Sequence, residues 1–199
     1  MNSGSVHLID DDLSIRKSLC ALLTLEGYEV SEWDCAQAFL DTQPQEAPAV
    51  VVTDMRMPGM SGVEMHKALL QRGRPRPVVY ISGETNVPQT IEAMKLGAHD
   101  FLVKPFRREV FLQAVATALE KDRQHLRSQD NAARLEDALR ELSPREYQVY
   151  GLLLKGLNNA EIMNSLQISL PTAKQYKSEV MRKLGARSLA QLIDMSQAS

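Results

Sequence analysis

Cysteine is scarce in this chain: Cys20 and Cys35 are the two among 199 residues. Neither has the short spacing to another Cys or His that a zinc site uses, so both are expected to be buried thiols in a reducing compartment. Long apolar runs are missing too. No window reaches the ~20 apolar residues needed to cross a bilayer, and Met1 to Ser5 lack the basic stretch and apolar run of an export signal. The expectation is a soluble, cytoplasmic protein with no membrane partner. Internal repeats and low-complexity tracts are absent, which excludes solenoids and propellers. Strong charge of one sign is also lacking, since the formal net charge is -2.

That small net charge hides an asymmetry. Residues 1–120 hold 11 Lys/Arg against 16 Asp/Glu, whereas residues 143–199 hold 7 against 4. The basic surplus of the second segment permits a nucleic-acid partner without demanding one. In the first segment, short apolar stretches alternate with helical patterns: Val6 to Ile9, Tyr28 to Trp33, Ala49 to Thr53, Val78 to Ser82 and Phe101 to Val103. Runs such as Val50-Val51-Val52 are apolar without alternation, as a strand covered on both faces must be. The fold class is α/β, a five-stranded doubly wound parallel sheet. Capping residues followed by Glu or Gln three places later mark helix starts at Asp34 with Gln37, Ser61 with Glu64, and Asn86 with Gln89. Gly27 and Gly97 stand where a left-handed residue closes a helix.

From Phe106 a helical pattern runs to Leu142 without glycine or proline. Leu112, Leu119, Leu126 and Ala133 recur every seven residues, but Asp122 and Gln129 interrupt the seam, and five basic and five acidic residues between Lys121 and Glu141 suggest a solvated helix. Helix starts return at Ser143 with Glu146, Asn158 with Glu161, Ser169 before Pro171, and Ser188 with Gln191. The expected organisation is a domain at 1–120, a helical linker at 121–142 and a small all-α domain at 143–199.

Asp10, Asp11 and Asp12 follow the first strand, and Asp54 ends the third. Loops at the carboxyl ends of strands form the ligand crevice of such a sheet. Carboxylates gathered there must either rise in pKa or share a cation, and hard oxygen ligands suit Mg²⁺. Ser82 ends the fourth strand and Lys104 follows the fifth. A phosphoryl group on Asp54 would find in a divalent ion, a hydroxyl and an ammonium three fitting partners. The Lys104-Pro105 bond is a candidate cis peptide.

The runs Ile9-Asp10-Asp11-Asp12, Thr53-Asp54-Met55-Arg56-Met57-Pro58-Gly59-Met60-Ser61-Gly62, Ile81-Ser82-Gly83 and Phe101-Leu102-Val103-Lys104-Pro105-Phe106 resemble a receiver domain of the chemotaxis-regulator type, in the FixJ branch. The resemblance implies that Asp54 accepts phosphate from a sensor histidine kinase. It further implies that Asp10, Asp11, Asp54 and the backbone carbonyl of Arg56 hold Mg²⁺ or Mn²⁺. Ser82 and Phe101 then match the hydroxyl and aromatic that move together on activation, and Lys104 matches the phosphate-binding lysine. Phe101 also reads simply as a core aromatic. Arg56 and Glu84 flank the pocket with opposite charge and are expected to pair.

Leu142-Ser143-Pro144-Arg145-Glu146, Gly156-Leu157-Asn158-Asn159-Ala160-Glu161-Ile162 and Val180-Met181-Arg182-Lys183-Leu184-Gly185 resemble the LuxR/NarL-type helix-turn-helix. Ala173, Tyr176, Val180 and Leu184 recur at helical spacing and should face a core, which leaves Lys174, Gln175, Ser178 and Arg182 outward as the face that reads double-stranded DNA. Thr172, Lys177 and Lys183 are expected at phosphates. Ala173 and Tyr176 depart from the β-branched residue and histidine common in that family. Leu189, Leu192 and Ile193 suit either a dimerisation surface or the closing of a small core. The combined resemblance implies a two-component transcriptional regulator that is no enzyme beyond its own phosphorylation and dephosphorylation. It dimerises on phosphorylation, with RNA polymerase as a further partner. Two other readings stay open: a constitutive DNA binder whose pocket is only a metal site, and an Asp-nucleophile phosphatase, which needs a second Asp where Arg56 stands.

Overall fold

The computed structural model describes residues 4–42, 48–73, 76–83 and 87–197. The cap expected at Asn86, the Glu84 partner of Arg56, and Met1 to Ser3 lie outside the described residues. The chain divides into two compact units, 1–124 and 125–199.

In the first unit the strands are β1 (Ser5–Ile9), β2 (Glu29–Trp33), β3 (Ala49–Asp54), β4 (Val78–Ser82) and β5 (Asp100–Val103). They form one parallel sheet in the order β2-β1-β3-β4-β5. The helices between them are α1 (Leu13–Leu25), α2 (Ala36–Asp41), α3 (Gly62–Gln71) and α4 (Val87–Lys95), and α5 (Arg108–Arg140) follows the last strand. Alternate strand residues serve opposite cores. Val6, Leu8, Val50, Val52, Val79 and Ile81 pack with Leu19 and Leu23 of α1 and Phe111, Val115 and Leu119 of α5. Ile9, Val51, Val78 and Tyr80 pack with Phe39, Val63, Met65, Leu69 and Ala93 on the other face. Each such aliphatic side chain contributes about 1.5–3 kcal/mol by leaving water. Two-sided covering explains why Val50-Val51-Val52 needs no alternation.

The local signals are largely as expected. Ser61 and Glu64 form a reciprocal capping box at α3, and Gly27 and Gly97 take positive φ. Asp34 is a correction: the N-cap of α2 falls one residue later, on Cys35, which makes no side-chain cap. Asp12 caps α1, its Oδ1 accepting from the Ser14 and Ile15 amides. Both cysteines are free and half-buried rather than fully buried. Asp122 also departs from expectation. It is 4% exposed and accepts the Ala49 amide at 2.8 Å, so this polar heptad position is a buried anchor between α5 and β3, not a solvated interruption.

The second unit holds the end of α5 and helices α6 (Pro144–Leu154), α7 (Asn159–Leu166), α8 (Leu170–Lys183) and α9 (Leu189–Gln197). Leu135, Val149, Leu153, Ile162, Val180 and Leu192 form its core. Leu192 is fully buried and Leu189 packs beside it, so α9 closes the core. Capping boxes start α6 and α7. The α7–α8 turn passes through Gln167 at φ 54, a left-handed residue that sequence chemistry does not announce because it is not glycine.

Glu146 joins this core to an ion pair. It is buried, accepts the Ser143 amide at 2.7 Å, and meets Lys183 Nζ at 2.7 Å. The Lys183 hydrogen bond, then the Ser143 amide, hold the carboxyl down to about 2. A depressed acid stabilises the fold fully above its unfolded value near 4.5 and loses that contribution as pH falls toward 2. Glu146→Gln in the full chain should therefore cost about 2 kcal/mol at neutral pH, and the deficit should close by pH 2 in denaturation curves. A gap independent of pH would count against the pairing.

Candidate functional site

The parallel sheet places the acidic residues by register alone. Ile9 of β1 lies opposite Thr53 of β3, so Asp10 and Asp54 emerge side by side at the carboxyl edge. This is where the strand order reverses, the position at which open α/β sheets bind ligands. Carboxylate oxygens of Asp10, Asp11 and Asp54 come within 4.8 Å of one another. Lys104 Nζ bridges two of them, at 2.9 Å from Asp10 Oδ2 and 2.7 Å from Asp54 Oδ2. The Lys104–Pro105 peptide is cis. Asp10 has a fully buried carboxylate, Asp54 is half-buried and Asp11 is exposed.

Backbone donors take the remaining oxygens. Asp10 Oδ1 accepts the Asp12 amide at 2.9 Å, and Asp54 Oδ1 accepts the Arg56 amide at 2.9 Å, which sets the Arg56 peptide against the pocket. Burial pushes the Asp10 carboxyl up, while Lys104 opposes it. Burial alone would lower Lys104, but its hydrogen bonds to Asp54 and Asp10 outweigh that and raise it. Three carboxylates against one ammonium leave two negative charges, which suits one divalent cation. Oxygens already bonded to Lys104 keep a second lone pair for it. The donor set is hard oxygen, as Mg²⁺ or Mn²⁺ requires.

Ser82 is 2% exposed at the end of β4, and its carbonyl accepts the Lys104 amide at 2.7 Å, which brings β4 and the lysine loop together. Phe101 is half-buried against the core beneath α3 and α4.

Two residues of the pocket have roles that the sequence did not assign. Arg16, on α1, donates Nη1 to the Asp10 carbonyl at 2.5 Å and braces that turn from behind. Gly62 opens α3 where a Cβ would meet the Asp54 carbonyl at 2.4 Å and Thr53 Oγ1 at 3.1 Å. Its φ gave no hint, since the requirement is closeness, not a left-handed turn. Gly62→Ala should displace the Asp54 peptide or α3 and cost about 1–3 kcal/mol. An unchanged unfolding midpoint would show that the site yields freely.

On α8, Ala173 and Val180 are fully buried while Lys174, Gln175, Ser178 and Arg182 are exposed, so one helix presents an apolar and a polar face. Thr172 Oγ1 lies 2.7 Å from Ser169 Oγ at the helix start, and Lys177 is half-exposed. Arg182 contacts Glu179 Oε2 through Nε and Nη2, at 3.0 and 2.7 Å. Lys183 has internal partners that its spacing did not announce: its ammonium donates to Glu146 and to the Glu141 carbonyl.

The fold and pocket together define a class, a receiver carried on one chain with a helix-turn-helix. Residues 6–116 match the response regulator receiver domain, and residues 140–196 match the bacterial regulatory proteins of the luxR family. Nodulation protein W of Bradyrhizobium diazoefficiens is 38% identical over 192 residues, 96% of this chain and 85% of that protein. The transcriptional regulatory protein FixJ of Azorhizobium caulinodans is 41% identical over 191 residues, 96% and 90% of the two chains. The solved structure of the response regulator StyR is similar with a TM-score of 0.82 and 37% identity, covering 98% of this chain and 99% of that one. The chain belongs to the response regulators, in the group that joins a receiver to a LuxR-type DNA-binding domain. It is a phosphorylation-controlled, DNA-binding transcriptional regulator of a two-component system.

Proposed function

We propose that Asp54 is the phosphoacceptor and that residues 1–120 form the receiver, 121–142 the linker and 143–199 the DNA-binding domain. The observation that carries this reading is the convergence of Asp10, Asp11 and Asp54 on one spot with Lys104 bridging two of them. A carboxylate oxygen of Asp54 attacks the phosphorus of a phosphohistidine on the sensor kinase. The new O–P bond forms as the P–N bond breaks, and the imidazole leaves with the electron pair. Lys104 moves from a carboxylate to a phosphoryl oxygen, and the Ser82 hydroxyl donates to another. Asp10, Asp11, Asp54 and the Arg56 carbonyl would hold Mg²⁺ or Mn²⁺, which supplies charge neutralisation for the transfer. Small phosphodonors serve the same carboxylate, and water ends the phosphorylated state by attacking the phosphorus, which breaks the Asp54 O–P bond, releases inorganic phosphate and restores the carboxylate.

Drawing Ser82 toward the phosphoryl group opens space that Phe101 turns to fill, and the α4–β5 surface changes with it. Val87, Ile91 and Met94 are at least half exposed at helical spacing on α4, and Val103 is 41% exposed at the end of β5. That apolar surface suits a homodimer formed on phosphorylation. Two linked domains then engage two half-sites with shared avidity. Lys174, Gln175, Ser178 and Arg182 face bases, with Thr172, Lys177 and Lys183 at phosphates. RNA polymerase is the further partner of the bound dimer, and the setting is cytoplasmic. DNA affinity measured by gel shift, with and without acetyl phosphate and Mg²⁺, tests the whole chain of events. A rise of at least tenfold is expected, about 1.4 kcal/mol. Equal affinity would favour constitutive binding with the pocket as a metal site alone.

A further inference from the structure

The face of the sheet beneath α3 and α4 is lined by Val51, Val78, Val63, Met65 and Leu69, yet it also holds a buried imidazole and a buried phenol. His66 of α3 is 2% exposed and Tyr80 of β4 is fully buried. His66 Nδ1 and the Tyr80 hydroxyl are 3.0 Å apart, with their ring centroids at 5.9 Å. The hydroxyl also reaches the Gly62 carbonyl at 3.5 Å. An Nδ1–H tautomer gives that order of donation, imidazole to phenol and phenol to carbonyl. Two apolar side chains would fill this space without a directional demand. A hydrogen bond in a dry interface permits few offsets between helix and strand.

The location connects this pair to the reacting groups. Tyr80 sits opposite Thr53 on one side and Phe101 on the other. Thr53 precedes Asp54, Tyr80 stands two residues before Ser82, and Phe101 stands three before Lys104. On the α3 side, Gly62 donates its amide to the Met55 carbonyl at 3.1 Å and packs against the Asp54 carbonyl so closely that no Cβ fits. The hydrogen bond thus ties α3, which fixes the Asp54 loop, to the strand that carries Ser82.

We propose that His66 and Tyr80 are positioning residues for phosphoryl transfer: their hydrogen bond sets the offset between the Asp54 loop and Ser82. This rests on Asp54 being the acceptor. Neither residue touches the phosphoryl group. Both act through the α3–β4 register, and a small misplacement of reacting groups is enough to slow a transfer severely.

The experiment separates register from stability. Tyr80→Phe removes the hydroxyl and leaves the imidazole unpartnered, so it loses both stability and rate. The double variant His66→Leu/Tyr80→Phe leaves no orphaned polar group and regains stability, because paired apolar replacement is close to neutral. With acetyl phosphate and Mg²⁺ on the full chain, phosphorylation of the double variant should remain about tenfold slower than wild type even though its melting temperature recovers. His66→Gln, whose amide still reaches the hydroxyl, should stay within about threefold. The inference is overturned if the double variant recovers its rate together with its stability, or if it never loses rate. A wild-type chain that takes up no phosphate would instead overturn the acceptor assignment, and the inference with it.

Discussion

Asp54→Asn should abolish phosphate uptake from acetyl phosphate and remove the rise in DNA affinity, while the fold stays intact. The amide retains the shape of the carboxylate and its Oδ1 still accepts from the Arg56 amide. It lacks the nucleophilic oxygen charge, and Lys104 loses one of two anionic partners. Uptake should drop by at least about a thousandfold, the scale on which removing a nucleophile acts. Stoichiometric acid-labile phosphate on the variant would remove Asp54 from its role. The same variant separates regulated from constitutive DNA binding: if it binds DNA as tightly as the phosphorylated wild type, the receiver does not control the second domain.

Lys104→Met should have the largest effect on stability. Asp10 is fully buried, and the ammonium lies within 2.9 Å of it and of Asp54. Removing one partner of a buried ion pair costs about 3–5 kcal/mol because the other charge is stranded. Protonation of Asp10, already pushed up by burial, relieves part of this, so about 3 kcal/mol is expected in chelator. Mg²⁺ should then stabilise the variant more than the wild type, since the ion no longer shares its carboxylates with an ammonium. Urea denaturation with chelator or Mg²⁺ measures both. A variant as stable as wild type in chelator, with the same gain from Mg²⁺, would mean that the lysine and the carboxylates are not coupled.

The central strands β1, β3 and β4 were legible because a strand buried on both faces leaves an apolar run bounded by turn residues. The edge strands β2 and β5 are more exposed and were marked by their place between helical patterns, and all five appear within one residue of their expected bounds. The pocket was legible for a related reason: parallel strands put their carboxyl ends on one edge, so residues that end β3 and β4 or follow β1 and β5 had to meet there. The two faces of α8 followed from helical spacing. What stayed hidden depends on distances between segments far apart in sequence. Asp122 looks like a surface residue until β3 brings the Ala49 amide to it. Lys183 looks like any basic residue on a DNA-binding helix until α6 supplies Glu146. Arg16 and Gly62 carry no local signature, and the partnership of His66 with Tyr80 spans 14 residues and two elements. Asp34 failed for a local reason, since a cap-forming residue type does not decide which residue the helix starts on.

Reduction of the phosphorylated full chain with borohydride, followed by peptide mapping, would locate the acyl phosphate as a homoserine. That residue should appear at position 54, in the peptide carrying Met55 and Arg56, and only after incubation with phosphodonor and Mg²⁺. Homoserine at position 10 or 11, or none despite bound phosphate, would contradict a transfer centred on the carboxylate between Lys104 and Arg56.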